Sequence, residues 1–260
     1  MTVKNAGMRN FFFEISEGEL PGWSVVHKYG RNPNGANSTE DTVNDLGEMQ
    51  FPTAASTMRI KAGGNAADDA SGAGAREVTI QGVGASGEFI SEAVATAGAS
   101  ASSSTTASFL RVFRAFVSAS GTYATTGTGT GGTNQGAITI ENTAGDTDFI
   151  RIAANEGQTQ YAGYTIPADK TGYLKSATIT VDSTKVADVL FYTRADITNT
   201  TAPVAARRLK LYFDGVAGLL SFKPETPIRL GSGMDTWWTF IPTANGTECA
   251  VDYEIILNDN

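Results

Sequence analysis

One histidine, His27, stands in the whole chain, and that sets a low ceiling on its catalytic chemistry. A Ser–His–Asp system would need His27 beside a presented nucleophile, and the chain has no Gly-x-Ser-x-Gly turn to present one. His27 lies in the strand-like run WSVVHKY, residues 23–29, where it reads as a satisfied structural residue. Paired carboxylates are the next chemistry to consider, as in glycoside hydrolysis. Acidic residues gather at Glu14/Glu17/Glu19, at Glu40/Asp41/Asp45/Glu48 and at Asp68/Asp69. All three clusters fall in loop-like segments and read as solvated charge. No catalytic residue is assigned, and the chain is not expected to be an enzyme.

Metal and cofactor chemistry has little more to work with. Oxygen ligands for a hard cation are concentrated in residues 32–45 (NPNGANSTEDTVND) and 65–71 (NAADDAS). Neither matches an EF-hand loop with its Gly and closing Glu. Ordinary Asx-turn chemistry accounts for both, with a structural calcium ion as the alternative. Cys249 is the single cysteine, so it closes no intrachain disulfide and supplies no Cys-rich metal site. It reads as packed core at the start of an apolar run. The tract GTGTGGTNQG, residues 127–136, imitates a phosphate cradle but lacks the Gly-Lys-Ser/Thr ending and a following helix. No cofactor and no metal are expected.

Aromatic residues form the last constellation. Trp237 and Trp238 are adjacent, so in a strand they point to opposite faces. One is expected to serve the core, and the other to meet a sheet edge, a neighbouring subunit or a ligand. Tyr161, Tyr164 and Tyr173 flank the same region. Core or subunit contact is favoured over stacking on sugar rings, with a host surface glycan as the competing ligand. Phe11-Phe12-Phe13 is a run that strand alternation cannot bury on one face, which points to contact on both sides. Phe11, Phe12, Phe13, Trp23, Trp237 and Trp238 are therefore the expected interface residues.

The elements that must position these groups read as strands. In the second half, residues 177–182 and 186–194 alternate, with 182–185 expected as a hairpin turn between them. Residues 208–213 place Leu209, Leu211 and Phe213 inward, and Val251, Tyr253, Ile255 and Leu257 repeat the pattern. Residues 237–241 are a further candidate. In the first half the candidates are 11–15, 23–29, 57–61, 77–83, 88–95, 108–118, 137–141 and 149–152. Residues 108–118 also carry helical spacing, but Phe and Val favour the strand. The pattern predicts an all-β fold of two antiparallel β-sandwich-like domains with Gly/Ser/Thr-rich loops. The first, 1–158, is expected to serve assembly, and the second, 159–260, to be the more regular sandwich. The glycine tract is read as a hairpin loop inside the first, with a domain boundary there as the alternative.

Composition narrows the function classes. Charged residues make up 18% of the 260 positions, against roughly 25% in average soluble domains, which suits a surface partly covered by neighbours. The net charge of -8 argues against a nucleic-acid surface, because phosphate binding needs clustered Lys and Arg. No apolar stretch approaches the ~18 residues of a membrane span. The first ten residues, MTVKNAGMRN, lack the apolar run of an export signal. Without such a signal the glycosylation triplets at Asn37, Asn199 and Asn245 carry no weight.

Four segments look familiar together: PGWSVVHKYGRNP (21–33), AREVTIQG (75–82), SFLRVFRA (108–115) and YTIPADKTGY (164–173). In this order they resemble segments of structural (virion) proteins of tailed bacteriophages, of the marine and cyanophage type. The resemblance implies a virion component assembled in the host cytoplasm, with no site residues to carry over. The favoured expectation is a capsid decoration or cement protein, a homotrimer in contact with the major capsid protein. A tail component, such as a fibre-anchoring adaptor or baseplate ring protein, is the alternative within that class. A host-glycan-binding module comes second, and a depolymerase last. Deleting residues 1–15 is expected to abolish incorporation into particles.

Overall fold

A computed structural model describes residues 10–260; the reading of the first ten residues as lacking an export signal falls almost wholly outside them. The short helix α1 (Phe11–Ser16) precedes β1 (Trp23–Gly35), β2 (Asp41–Thr42), β3 (Ser56–Ile60), β4 (Ala75–Val83) and β5 (Phe89–Ala95). Next come β6 (Ser108–Phe109), β7 (Arg111–Ser120), β8 (Ile138–Asn142), β9 (Asp148–Ile152), β10 (Gly163–Thr165) and β11 (Lys170–Val181). The chain ends with β12 (Ala187–Arg194), β13 (Arg208–Val216), β14 (Gly218–Phe222), β15 (Ile228–Leu230), β16 (Asp235–Pro242) and β17 (Thr247–Asp259). The fold is all-β and antiparallel throughout. Among the described residues no helix is long and apolar enough to cross a membrane.

Two five-stranded sheets build the main sandwich. Sheet A runs β1-β17-β11-β14, with β15 on the β14 side of β11; sheet B runs β10-β16-β12-β13, with β2 also on β16. Alternation explains the packing. Leu174, Ile179, Val181, Val251, Tyr253 and Ile255 are buried on the inner face of sheet A. They meet Phe191, Trp238 and Phe240 of sheet B; the rings of Trp238 and Tyr253 lie 6.0 Å apart. The two smaller sheets, β6-β3-β8-β9 and β5-β4-β7, contribute Ile60, Val78, Ile80, Ile140 and Ile152 to the same continuous core.

Sheet membership crosses the expected boundary at 158/159. β1 pairs with β17 along most of its length, and β2 pairs with β16, so the first half supplies strands to both sheets of the second. Sequence periodicity reports that a strand exists, not which distant strand it pairs with. Three local readings also change. Residues 182–185 and the glycine tract are not hairpin loops, because β11 and β12, like β7 and β8, belong to different sheets. Leu209 is 49% exposed, because β13 is an edge strand with only one neighbour. The candidate strand 108–118 breaks at Leu110 into β6 and β7.

A fourth change is the run of Phe residues, which forms α1 rather than a strand. Asn10 caps the helix, its side chain accepting the Phe12 N–H at 3.0 Å. Gly18, at φ 69°, closes it: the N–H groups of Gly18 and Glu19 donate to the carbonyls of Ile15 and Glu14. Asn before and Gly after thus satisfy the orphan groups at both ends, and they outweigh the strand preference of Phe.

β1 is the joint of the molecule. At Gly30 a side chain would place its first carbon 2.2 Å from the Ala162 backbone nitrogen and 2.6 Å from the Val43 carbonyl oxygen, so only glycine lets these segments meet. Two residues earlier, Lys28 is buried, and its Nζ donates to the Phe113 carbonyl at 2.6 Å, with the Phe113 and Tyr161 rings beside it. Burial, helped by the charge of Arg114, lowers its pKa to about 7. Between that value and the ordinary 10.5 the unfolded chain binds a proton that the folded chain does not. Stability therefore rises with pH across this window, and the full penalty is present below pH 7.

Two outcomes follow from the joint. Gly30→Ala should lower stability by about 1–3 kcal/mol or more, while Gly127→Ala, with open space around it, should stay within about 0.5 kcal/mol; thermal melts compare them. Lys28→Met should be the more stable form at pH 6.5, with wild type gaining on it by a few kcal/mol toward pH 10. Urea titrations across that range measure the difference, and parallel curves for the two proteins would show a Lys28 of ordinary pKa.

Candidate functional site

Two surfaces concentrate chemistry, one on the outer face of each main sheet. The first gathers four of the residues expected at an interface. Strand alternation on β1 sends Trp23, Val25 and His27 outward, opposite Val26 and Lys28. In register, Val25 pairs with Ile256, and Ile256 with Tyr173, giving an apolar row across three strands. α1 lies against the end of this row. The Phe11 ring packs edge-on to Trp23 at 5.1 Å and to Phe12 at 5.5 Å, and Trp23 stacks on Tyr173 at 6.4 Å. Lys175 Nζ lies 4.7 Å from the centre of the Phe12 ring. Ile15 is the buried residue of the helix, whereas Phe13 is 64% exposed, with Phe11, Phe12 and Val25 also exposed. Beside it on this face stand the cross-strand ion pairs Lys175–Glu254 and Arg31–Glu248 and the contact of His27 with Asp252.

Trp237 and Trp238 do point to opposite faces, but neither reaches the surface, at 4% and 0% exposure. Trp238 is sandwich core. Trp237, on the outer face of sheet B, is covered by Phe51 at 5.1 Å and stacked on Tyr192 at 5.6 Å. Their expected place at an interface is therefore corrected: the loop carrying Phe51 folds over the outer tryptophan. The same covering removes them as platforms for sugar rings. Tyr161 and Tyr164 are buried as well.

Beside Trp237 lies the second surface, and at its root a buried ion cluster that sequence reasoning missed. Asp235, at 0% exposure, accepts from Arg111 Nε at 3.1 Å, from Arg194 Nη2 at 2.8 Å and from the Thr165 hydroxyl at 2.8 Å. Arg111 also donates to the Pro52 and Leu110 carbonyls. Phe51 lies under both guanidiniums, 5.4 Å from Arg111 and 4.0 Å from Arg194. The carboxylate that Arg111 meets is 124 positions away in sequence, too distant for any local signal.

Two hollows open above this cluster and share Arg194 and Phe51. The wider, about 410 Å³, is walled by Glu40, Glu48, Arg207, Thr42 and Thr239; the narrower, about 160 Å³, by Arg111, Thr53, Asn199 and Thr200. Glu40 accepts from the Thr239 hydroxyl and pairs with Arg207 at 3.4 Å. Glu48 accepts from the Thr42 hydroxyl, and partial burial raises its pKa. Of the expected acidic clusters, only this pair is brought to a cleft.

The remaining candidates have structural partners. His27 meets Asp252 at 2.6 Å. Asp68 is buried and accepts backbone N–H groups from Ala75, Gln135 and Gly136. It thereby pins the end of the glycine tract with donors, the opposite of a cation site. Asn32, Asn44, Asn65 and Asp69 each accept the backbone N–H two residues on, the Asx-turn chemistry read from these two segments. Cys249 is buried, and burial pushes its thiol pKa up.

No protein-family model matches the chain. No curated protein matches it. Among solved structures, one described as the infectious bursal disease virus Gt strain aligns over 96% of this chain and 78% of its own, at 7% identity and a TM-score of 0.25. The VP2 subviral particle of the same virus aligns over 93% and 73%, at 5% identity and a TM-score of 0.21. TM-scores this low establish no common fold.

The ion cluster yields a sharp expectation. Asp235→Asn would leave two guanidiniums without their carboxylate, costing about 3–5 kcal/mol. Chemical denaturation measures it, and a loss below about 1 kcal/mol would mean that the cluster is not a tie between the two halves.

Proposed function

We propose that this chain is a non-enzymatic structural protein of a tailed-phage virion, a capsid decoration or cement subunit that acts as a homotrimer on the major capsid protein. The observation that carries this reading is the aromatic patch on sheet A. Phe11 and Phe12 of the capped helix meet Trp23 of β1 on one outer face, and the same helix exposes Phe13. Contiguous exposed apolar surface of this kind marks a contact site rather than a solvated wall. The ion pairs beside it on that face give it a polar rim, the usual anatomy of a protein interface. The rigid sandwich behind it suits a subunit whose modest contacts are multiplied by symmetry.

The segments that resemble virion proteins support the same reading. Residues 21–33 contain most of β1, and 164–173 contain the end of β10 and the start of β11; β1 and β11 carry Trp23 and Tyr173 of the patch. A tail component would use the same patch, and copy number separates the two: hundreds per particle for decoration, one small ring for a tail.

Phe13→Asp tests the patch with least damage, because Phe13 is mostly exposed. The variant should melt like wild type yet lose self-association in sedimentation and drop out of purified particles. Incorporation at wild-type copy number would refute the proposal. The triple replacement of Phe11, Phe12 and Phe13 by Ser should be absent from particles altogether.

A further inference from the structure

The cleft on sheet B has a charge arrangement that the buried cluster alone does not require. One carboxylate, Asp235, serves two guanidiniums, so the buried cluster carries one positive charge more than Asp235 balances, with Asp196 on the wall of the narrow hollow. Arg194 is the accessible half. It is 25% exposed, gives Nη2 to Asp235, and its Nε and Nη1 make no hydrogen bond to any described residue. Its plane is held on Phe51 and its Nη2 on Asp235, which leaves Nε and Nη1 as preoriented charged donors where the two hollows meet. Charged donors of this kind match a carboxylate in charge and hydrogen bonding.

The walls define the rest of the ligand. Thr53, Asp196, Asn199 and Thr200 line the narrow hollow beside the apolar Ile197 and Val204, and Glu40, Glu48 and Arg207 wall the wide one beside Met49. The polar members are hydroxyl, amide, carboxylate and guanidinium groups, which accept from and donate to hydroxyls, and the apolar ones can face the C–H surface of a ring. A phosphate would bring a second negative charge toward Glu40 and Glu48; a carboxylate brings one, and its neighbouring hydroxyls can donate to those two acids. Peptide addition to the floor is closed, because β12 lies between β13 and β16, and β16 between β12 and β10/β2. Recognition must therefore run through side chains. The wider hollow by itself falls in the roughly 300–1,000 Å³ range of ligand clefts.

From this geometry we infer that the cleft binds an acidic sugar, a hexuronate unit of a polysaccharide, with its carboxylate on Arg194 and its hydroxyls toward Glu40, Glu48 and Arg207. The site is distinct from the aromatic patch and stands whether or not the chain is a virion subunit. It also differs from sugar stacking on Trp237 or Trp238, which are covered.

The test uses the full chain and oligosaccharides of galacturonate, glucuronate, mannuronate and guluronate, with neutral hexose oligomers of equal length, acetate and a Glu-rich peptide as comparisons. Calorimetry should detect at least one uronate series, with the neutral match at least tenfold weaker and acetate weaker still. Arg194→Met keeps Arg111 on Asp235 and should reduce uronate affinity at least tenfold. Arg207→Gln, outside the buried cluster, should reduce it several-fold without altering the melt, which separates lost binding from lost folding. No binding to any of the four series overturns the inference. So does wild-type affinity in both variants, acetate binding as tightly as the sugars, or tighter binding of the acidic peptide.

Discussion

The contact between Arg111 and Asp235 is the constraint on which the arrangement of this molecule turns. Arg111 opens β7 in the first half of the chain; Asp235 opens β16 in the second, and Arg194 ends β12 beside it. Both partners are almost wholly removed from water, where an uncompensated charge is expensive and a compensated one contributes little net stability. Such a pair is a poor glue but a strict key: any packing of β7 on sheet B that moved the guanidinium would leave a bare carboxylate inside. Thr165, the Pro52 and Leu110 carbonyls and the Phe51 ring complete the environment, so segments far apart in sequence are fixed by one carboxylate.

β1 imposes the second constraint, by a different means. Its long pairing with β17 ties the beginning of the described chain to its end, and at Gly30 it approaches the backbone of Ala162 too closely for any side chain. Lys28, on the same face, reaches across to the Phe113 carbonyl. Here shape and a partly neutralised amine do what the ion cluster does elsewhere. Long-range strand pairing must be complete before these contacts form, and that delays their return against the entropy of closing long loops.

Much of the secondary structure was legible because alternation is local. Val251, Tyr253, Ile255 and Leu257 face the core as their period demands, and the strands of both halves fall near their expected places. What escaped was of two kinds. Pairing partners were invisible, so β1 and β2 were assigned to the wrong side of a boundary and two sheet-to-sheet crossings were read as hairpins. Competing local signals were also misjudged at 11–15, where Asn10 and Gly18 offered caps that decide the matter for six residues but say little in a hydropathy pattern. The aromatic patch was half visible, as a run of Phe; its union with Trp23 needed the helix. The cleft was visible only as the acidic cluster that holds Glu40 and Glu48; Arg194 and Arg207 lie far from it in sequence, share no motif with it and meet it only through the strand pairing of sheet B.

The two surfaces bear a fixed relation that follows from the sandwich itself. The inner faces of sheets A and B meet at Tyr253 and Trp238, so their outer faces look in opposite directions. The aromatic patch belongs to the outer face of A, and the cleft to that of B. A subunit seated through Phe11–Phe13 and Trp23 would therefore turn Arg194 and its hollows away from its support. Each surface is also backed by structure that the other does not share: the patch by β1 and α1, the cleft by the ion cluster and Phe51. A change at one should leave the other intact, so attachment and recognition can vary separately on a single rigid plate.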